Sequence, residues 1–457
     1  MPNNRSSINP VHLAWGLGSL GTIAAIASVS NLYLFFMVSV LGVSPALAGF
    51  LIFLSKTFDI VTDPLMGYIS DRTKSKSGRR RPWLFWASGL TGLSVGLLFS
   101  VGLSPDVSLV TITALLFFYA AALTMFNVPY LAMPAEMTDD YHERSTLMSY
   151  RALFLVGGGF VGNSVAGLMI RRFGGGAEGY AAMGWVMGAI VFITMLACWA
   201  GTAKARTTSF EKPAIAPVQQ MKLIFVNKPF LVLSLLKALQ FLQLASAGGS
   251  LLFFIVHIMA RDESSLFPYG VGVSAATLVF LPMWLKVGRR IGKRRALAVS
   301  LTFNLLAHLS WLFADAGEPA ALLVLRAVAT GTFVGGIVVF SQSMILDVIA
   351  YDRKISGISR EGLFSSLFSF IEKTTYALGP LLIGLLLSGF GFDAKLGVGQ
   401  QSETALDGIR IALIGIPFLA NSGMLVCVYF FRLTEKQLAE ATLHPLAEVP
   451  DSGATRP

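Results

Sequence analysis

The chain has 457 residues, of which 54% are hydrophobic and only 13% charged, with a mean hydropathy of +0.68 and a formal net charge of +10. A soluble core cannot hide that much apolar surface, so a water-soluble domain is excluded and a polytopic membrane protein is expected. The two cysteines, Cys198 and Cys427, lie in separate apolar stretches with no disulfide or metal-ligand spacing, and both read as packing residues.

In chain order, stretches long enough to cross a hydrocarbon layer of roughly 30 Å run over 12–40, 46–70, 83–104, 108–135, 146–170, 179–203, 229–260, 267–288, 296–314, 319–349, 363–390 and 408–432. An all-α membrane protein of twelve transmembrane helices follows, since alternating ten-residue barrel segments are missing from the pattern. Arg5 ahead of the first run imitates a signal peptide. The run continues well beyond a 7–15-residue apolar core, so an uncleaved first span is expected.

Span two carries the most informative residues. Asp59 and Asp63 are four positions apart and share one helix face, flanked by Lys56 and followed by Pro64, Gly67, Asp71 and Arg72. Two carboxylates inside an apolar span cost roughly 2.5–3.5 kcal/mol each on insertion scales, and such groups usually face a water-filled cavity that serves ions or protons. They offer hard oxygen ligands for sodium, or a site for one proton, with Thr62 and Thr124 as added hydroxyl donors. The bland reading neutralises them structurally through Lys56.

The loop after span two, Arg72 to Arg81 with Gly78 and then Pro82, is strongly basic. The loop after span eight, Lys286 to Arg295 with Arg290, matches it, whereas the loops near 41–46, 102–107 and 314–319 hold no Lys or Arg. The basic loops, and with an even span count both termini, are expected on the cytoplasmic side of an inner membrane. Arg171, Arg172, Arg261 and Lys395 are exceptions on the outer side. The net charge therefore reflects topology and anionic lipid, and nucleic-acid binding is not expected.

A polar connection over 204–228 divides the spans six and six. The expected organisation is an N-terminal half over 1–203, a C-terminal half over 229–435 and a cytoplasmic tail over 436–457, as in transporters built from parallel repeats of the major facilitator type.

Further polar residues punctuate the spans. Pro129 interrupts span four beside Asn127 and Tyr130, and Arg151 opens span five as either an anchor or a cavity residue. Gln240 and Gln243 in span seven, Ser341 in span ten and Ser369 in span eleven are cavity candidates with helix packing as the alternative. Lys373 lies well inside span eleven beside Glu372, and an ammonium there requires a carboxylate, for which the span-two acids are the candidates. Lys237 is shallower and reads equally as a snorkelling lysine. The Gly16, Gly18 and Gly21 spacing fits a dinucleotide fingerprint but lies in an apolar span with no strand before it, so close helix packing is expected. His12, His142, His257, His308 and His444 form no ligand spacing, and no nucleophile constellation points to an enzyme.

The run from Asp59 through Asp63-Pro64-Leu65-Met66-Gly67 to Arg79-Arg80-Arg81-Pro82-Trp83, then Asn127-Val128-Pro129-Tyr130, Glu143-Arg144, Tyr150-Arg151 and Lys373, resembles the glycoside-pentoside-hexuronide:cation symporters, the melibiose permease family of the major facilitator superfamily. The resemblance implies two six-helix halves and alternating access, with sodium or proton coupling and no cofactor. It places the cation site at Asp59, Asp63 and Thr124, joins Lys373 to its charge network and puts Arg151 in the cavity. Departures stand at Ile23, Asn127 and Leu131, where the melibiose carrier has two aspartates and a tryptophan, and at Thr62, where it has an asparagine. A monomeric symporter for a sugar or glycoside other than melibiose is expected. A lysolipid symporter of the same family and a non-transporting sensor or scaffold are the alternatives.

Overall fold

The computed structural model describes residues 10–104, 107–138, 141–205, 227–356, 361–431 and 433. Most of the expected connection over 204–228, and the expected tail over 436–457, lie outside the described residues. Among the described residues, twelve helices are long and apolar enough to span a membrane: α1 Pro10–Val40, α2 Pro45–Arg72, α3 Arg81–Leu103, α4 Leu109–Pro134, α5 Thr146–Arg172, α6 Gly176–Gly201, α7 Lys228–His257, α8 Glu263–Ile291, α9 Lys293–Phe313, α10 Ala320–Lys354, α11 Ser366–Gly389 and α12 Glu403–Phe430. Helices satisfy most of their backbone within the segment, the requirement hydrocarbon imposes, and carbonyls freed by internal prolines find partners elsewhere, as Tyr130 does in Trp15.

The pairing of helices repeats. α1 packs on α5 and α6, α3 on α4 and α6, and α2 on α4; adding six to each number gives the contacts α7 with α11 and α12, α9 with α10 and α12, and α8 with α10. Across the middle, α1 meets α7, α2 meets α11 and α5 meets α8, so the two sets are related by a pseudo-twofold arrangement.

The basic loops anchor each set in the same way. Gly78 (φ +91°) and Gly292 (φ +83°) adopt the left-handed conformation that glycine tolerates, each turning the chain into a run of basic residues. Arg79 and Arg80 then bind Glu136 just past α4, and Arg80 also reaches Asp71 at 3.2 Å. Lys293 binds Asp347 of α10 at 2.8 Å. Arg81 donates to the Trp199 carbonyl of α6 at 2.9 Å, and Arg294 donates to the Val428 carbonyl of α12 at 2.8 Å. Lys293 and Arg294 thus do in the second set what Arg79, Arg80 and Arg81 do in the first. Arg290, expected in that role, is exposed one turn too early on α8. Gly67 is likewise not a tight contact, because a Cβ there meets nothing nearer than Val128 at 3.8 Å.

At the opposite end the sets press together with almost no side chain between them. A Cβ on Gly49 would overlap the Pro380 carbonyl, and one on Gly384 would overlap the Pro45 carbonyl, so α2 and α11 touch backbone to backbone. Ser388 accepts a hydrogen bond from the Ala46 amide at 2.9 Å. Arg171 of α5 pairs with Asp262 before α8 at 3.3 Å, and Arg261 donates to the Glu318 carbonyl, which gives two basic residues at this end specific partners.

Replacing Gly384 by leucine should prise α2 from α11 at this end while leaving each six-helix set intact. A cysteine at Ser388, with Cys198 and Cys427 replaced by alanine, should then react severalfold faster with a membrane-impermeant maleimide in the Gly384→Leu protein. Unchanged labelling would show that the contact does not hold this end closed.

Candidate functional site

Asp59 and Asp63 project from one face of α2, and Pro64 directly after them removes the amide that would bond the Ile60 carbonyl, loosening the ladder beside the acids. α4 packs on this face and contributes buried Thr124, whose hydroxyl lies 3.0 Å from Asp63 Oδ1 and 3.4 Å from Asp59 Oδ1. Its one hydrogen serves one carboxylate at a time, so the two acids share a hydroxyl between them. From the other six-helix set, Lys373 of α11 pairs with Asp63 Oδ2. Asp63 therefore gives one oxygen to each set. Lys56 sits one turn before Asp59, with its ammonium 5.2 Å above the Tyr119 ring and within electrostatic reach of Asp59, Asp63 and Lys373.

These donors are hard oxygens suited to a small cation or a proton. Among the described residues no group of three or more His, Cys, Asp or Glu side chains is placed to hold a metal ion. In this arrangement the Lys373 ammonium takes the electrostatic place a bound cation would take at Asp63.

A second ion pair, buried on its lysine side, lies one helix position away. Glu372, expected in the charge network of Lys56 and Lys373, lies 100° around α11 from Lys373 and faces Lys237 of α7 at 3.7 Å. The Lys237 side chain is only 1% exposed and also donates to Gln240 at 3.1 Å and to Ser341 at 3.5 Å. It is a buried ion-pair partner and does not snorkel. Ser341 is fully buried and serves this lysine instead of lining the cavity. Arg151 of α5 lies within electrostatic reach of Glu372, and its Nε is buried without a hydrogen-bond partner.

Between the two sets lies a cavity of about 520 Å³, lined by Gln240, Gln243, Tyr376, His308, Trp311 and the pair Asn31 and Asn163, among others. Asn31 donates to Asn163 at 2.6 Å, joining α1 to α5. Asn163 sits in a π-helical segment, Val161–Val165, in which the Gly162 carbonyl accepts from Ser28 at 3.1 Å. Sequence reasoning selected the two glutamines and missed both asparagines. An amide within an otherwise apolar span was the available signal in each case. Tyr376 lies about one turn beyond Lys373, and Gln240 touches Lys237, so the cavity adjoins both charge clusters.

Other expected site residues fall elsewhere. Tyr130 is buried in a packing core, stacked on Trp15 at 4.9 Å, with its hydroxyl bonded to Ser19 at 2.6 Å and to the Trp15 carbonyl at 3.1 Å. Pro134 explains part of this: it leaves the Tyr130 carbonyl free of the helix ladder, and Trp15 Nε1 donates to that carbonyl at 3.3 Å. Thr62 turns its hydroxyl to the Phe58 carbonyl at 3.1 Å, spending its donor within α2. Asn127 is half-buried and Ser369 exposed, and neither lines the cavity. Gly16, Gly18 and Gly21 each admit a side chain from a neighbouring helix, Phe154, Tyr130 and Thr194 respectively, as close packing requires.

The sequence also matches a family profile described as MFS/sugar transport protein over residues 14–435. The chain belongs to this family. A symporter of Synechocystis sp. of uncharacterised specificity is 26% identical over 92% of this chain and 94% of its own length. An isoprimeverose transporter of Lactiplantibacillus pentosus is 25% identical, covering 93% and 90% of the two chains. The fold is also that of a bacterial homolog of the human lysosomal transporter Spinster, solved inward-facing, with a TM-score of 0.68 at 14% identity over 94% of this chain and all of that one. The chain is thus an integral membrane transporter of the major facilitator superfamily and not an enzyme.

Two substitutions separate the site from its scaffold. Lys373→Ala should destabilise the purified protein by about 1–3 kcal/mol, less than a fully buried pair because Lys373 is 36% exposed, and adding Asp63→Asn should recover part of that loss in thermal unfolding. Fully additive losses would dissociate Lys373 from Asp63. Tyr130→Phe should cost about 1 kcal/mol of stability through its lost hydrogen bonds and leave the apparent KM for solute unchanged; a raised KM would return Tyr130 to the binding site.

Proposed function

We propose that this transporter is a symporter, coupling inward movement of sodium or a proton to uptake of a sugar or glycoside by alternating access. The observation that carries the reading is the position of Asp63, bonded through one oxygen to Thr124 of its own half and through the other to Lys373 of the opposite half. A cation arriving at Asp59, Asp63 and Thr124 competes with Lys373 for Asp63, so ion occupancy and the contact between halves are one equilibrium. Solute entering the cavity between the same halves acts on that equilibrium too. The coupling is therefore reciprocal: the ion tightens solute binding by the factor by which solute tightens ion binding.

Several features support the orientation. The basic loops belong on the cytoplasmic side of an inner membrane, which puts the backbone seal of α2 against α11 on the outer side and both termini inside. In this arrangement the pathway faces the cytoplasm. One chain supplies both halves and the cavity, so a monomer is the working unit, divided by the connection over 204–228. A relative named for isoprimeverose supports the solute class. Melibiose itself is disfavoured: Ile23 packs against Gly158 of α5, and Leu131 offers no aromatic stacking face.

Asp59→Asn and Asp63→Asn should each abolish solute accumulation by vesicles under an imposed gradient while the protein still inserts and folds. Imposing sodium and proton gradients separately identifies the ion. Accumulation undiminished in both variants would remove the cation site from α2.

A further inference from the structure

The cavity between the halves has two ends of different chemistry. Along α7 it runs from Gln240 to Leu252, twelve residues or roughly 18 Å of helix, which is longer than one sugar ring. In the middle of the protein its wall carries the amides of Asn31, Asn163, Gln240 and Gln243. Towards the end where α2 and α11 close, it turns apolar, with Leu252, Leu266, Val273 and Val334, and it finishes among Tyr269 of α8, His308 and Trp311 of α9 and Thr330 of α10. These rings are fixed before any solute arrives. Trp311 meets Tyr269 at 5.9 Å and Phe254 at 5.4 Å, both edge to face, and the Arg326 guanidinium lies 5.4 Å from its ring centre. Arg326 is itself tied to Glu318 and to the Ser310 carbonyl at 3.2 Å. A ring held in this way loses little freedom on binding, and an aromatic wall suits a flat apolar partner.

The hydroxyls at this end are mostly spent. Tyr269 bonds Thr330 through its hydroxyl, and the Thr277 hydroxyl donates to the Val273 carbonyl at 2.8 Å or to the Gly331 carbonyl at 3.0 Å. His308 keeps an acceptor. Its Nδ1 lies 2.9 Å from the Asn304 carbonyl one turn earlier, and a carbonyl only accepts, so Nδ1 carries the hydrogen and Nε2 of the neutral ring keeps a lone pair. That nitrogen has no partner among the described residues, and its ring lines the cavity. A second sugar ring would bring several hydroxyls to this wall, and buried hydroxyls left unpaired are penalised. An aromatic ring bearing one hydroxyl matches both the apolar wall and the imidazole acceptor.

Resting on the symporter reading above, we propose that this end of the cavity is an aglycone subsite: the solute is an aryl glycoside whose sugar lies among the amides and whose aromatic ring lies against Trp311 and Tyr269, its phenolic hydroxyl donating to His308 Nε2. His308 is then the residue that selects the aglycone. It stands on α9, a helix that carries none of the charged residues around Asp63, so aglycone recognition and ion binding fall to different helices.

The test measures binding of 4-hydroxyphenyl, 4-methoxyphenyl and methyl glucosides, and of the matching xylosides, by thermal stabilisation of the purified full chain in sodium and at acidic pH. In at least one sugar series both aryl glycosides should bind about tenfold or more above the methyl glycoside, and the hydroxyphenyl about fivefold above the methoxyphenyl. His308→Phe should erase the hydroxyphenyl preference and keep the aryl preference. Photolysis of the 4-azidophenyl glycoside on the wild-type protein should label α8 or α9, a readout that stands even where the variant fails to fold. Methyl glycosides binding as tightly as aryl ones, a hydroxyphenyl preference that survives His308→Phe, labelling confined to other helices, or no response to any of these glycosides overturns the subsite. Binding is read without a gradient, so the two readings fail separately. An aryl preference without cation-driven accumulation in vesicles keeps the subsite and sinks symport; cation-driven accumulation of methyl glycosides with no aryl preference does the reverse.

Discussion

An ionised side chain in hydrocarbon must find an opposite charge, and in this protein the search crosses the boundary between the halves. Asp63 finds Lys373 on the other half, and Glu372 turns away from its neighbour to find Lys237 on its own. Because the penalty for an unmatched charge rises as the dielectric falls, these pairings favour the contact of α2 with α11 and of α11 with α7. The helices that carry them, α2 and α11, are also those in contact at the opposite end. The groups proposed to bind the ion are therefore among those that hold α2 against α11.

The basic loops show how each half keeps its shape while the boundary changes. The pairs of Arg79 and Arg80 with Glu136 and of Lys293 with Asp347 stay within one half, as do the backbone bonds made by Arg81 and Arg294. Charge-assisted bonds of this kind tie α3 to α4 and α6, and α9 to α10 and α12. They leave the halves free to rock as bodies, which is what alternating access demands of a two-part carrier.

Much of this was legible in the sequence because lipid restricts what a chain can do. Twelve apolar runs of sufficient length can only be helices, and a carboxylate pair four residues apart within one of them can only share a face. The grouping of Asp59, Asp63, Thr124 and Lys373 could be anticipated from these facts and a family resemblance. The direction of Glu372 could not, since adjacent helical residues point 100° apart and the neighbouring helices decide what each one meets. The packing of Tyr130 against Trp15 was hidden for a similar reason. A tyrosine beside a proline in a polar-looking segment suggests a cavity, but the carbonyl freed by Pro134 and the face of Trp15 draw that segment into the core. Asn31 and Asn163 become a site only through a contact between α1 and α5, more than a hundred residues apart in sequence.

The closure of α2 on α11 through Gly49, Pro45, Pro380 and Gly384 has a kinetic consequence. A gate of interlocked leucines must unlock rotamers one by one, and each long side chain regains or loses conformational freedom as it parts or meets its neighbour. Two bare backbone surfaces have nothing to disentangle. They can separate with little friction and reseat in the same register, so the thin layer of glycine and proline acts as a bearing that favours rapid cycling over a tightly latched closed state.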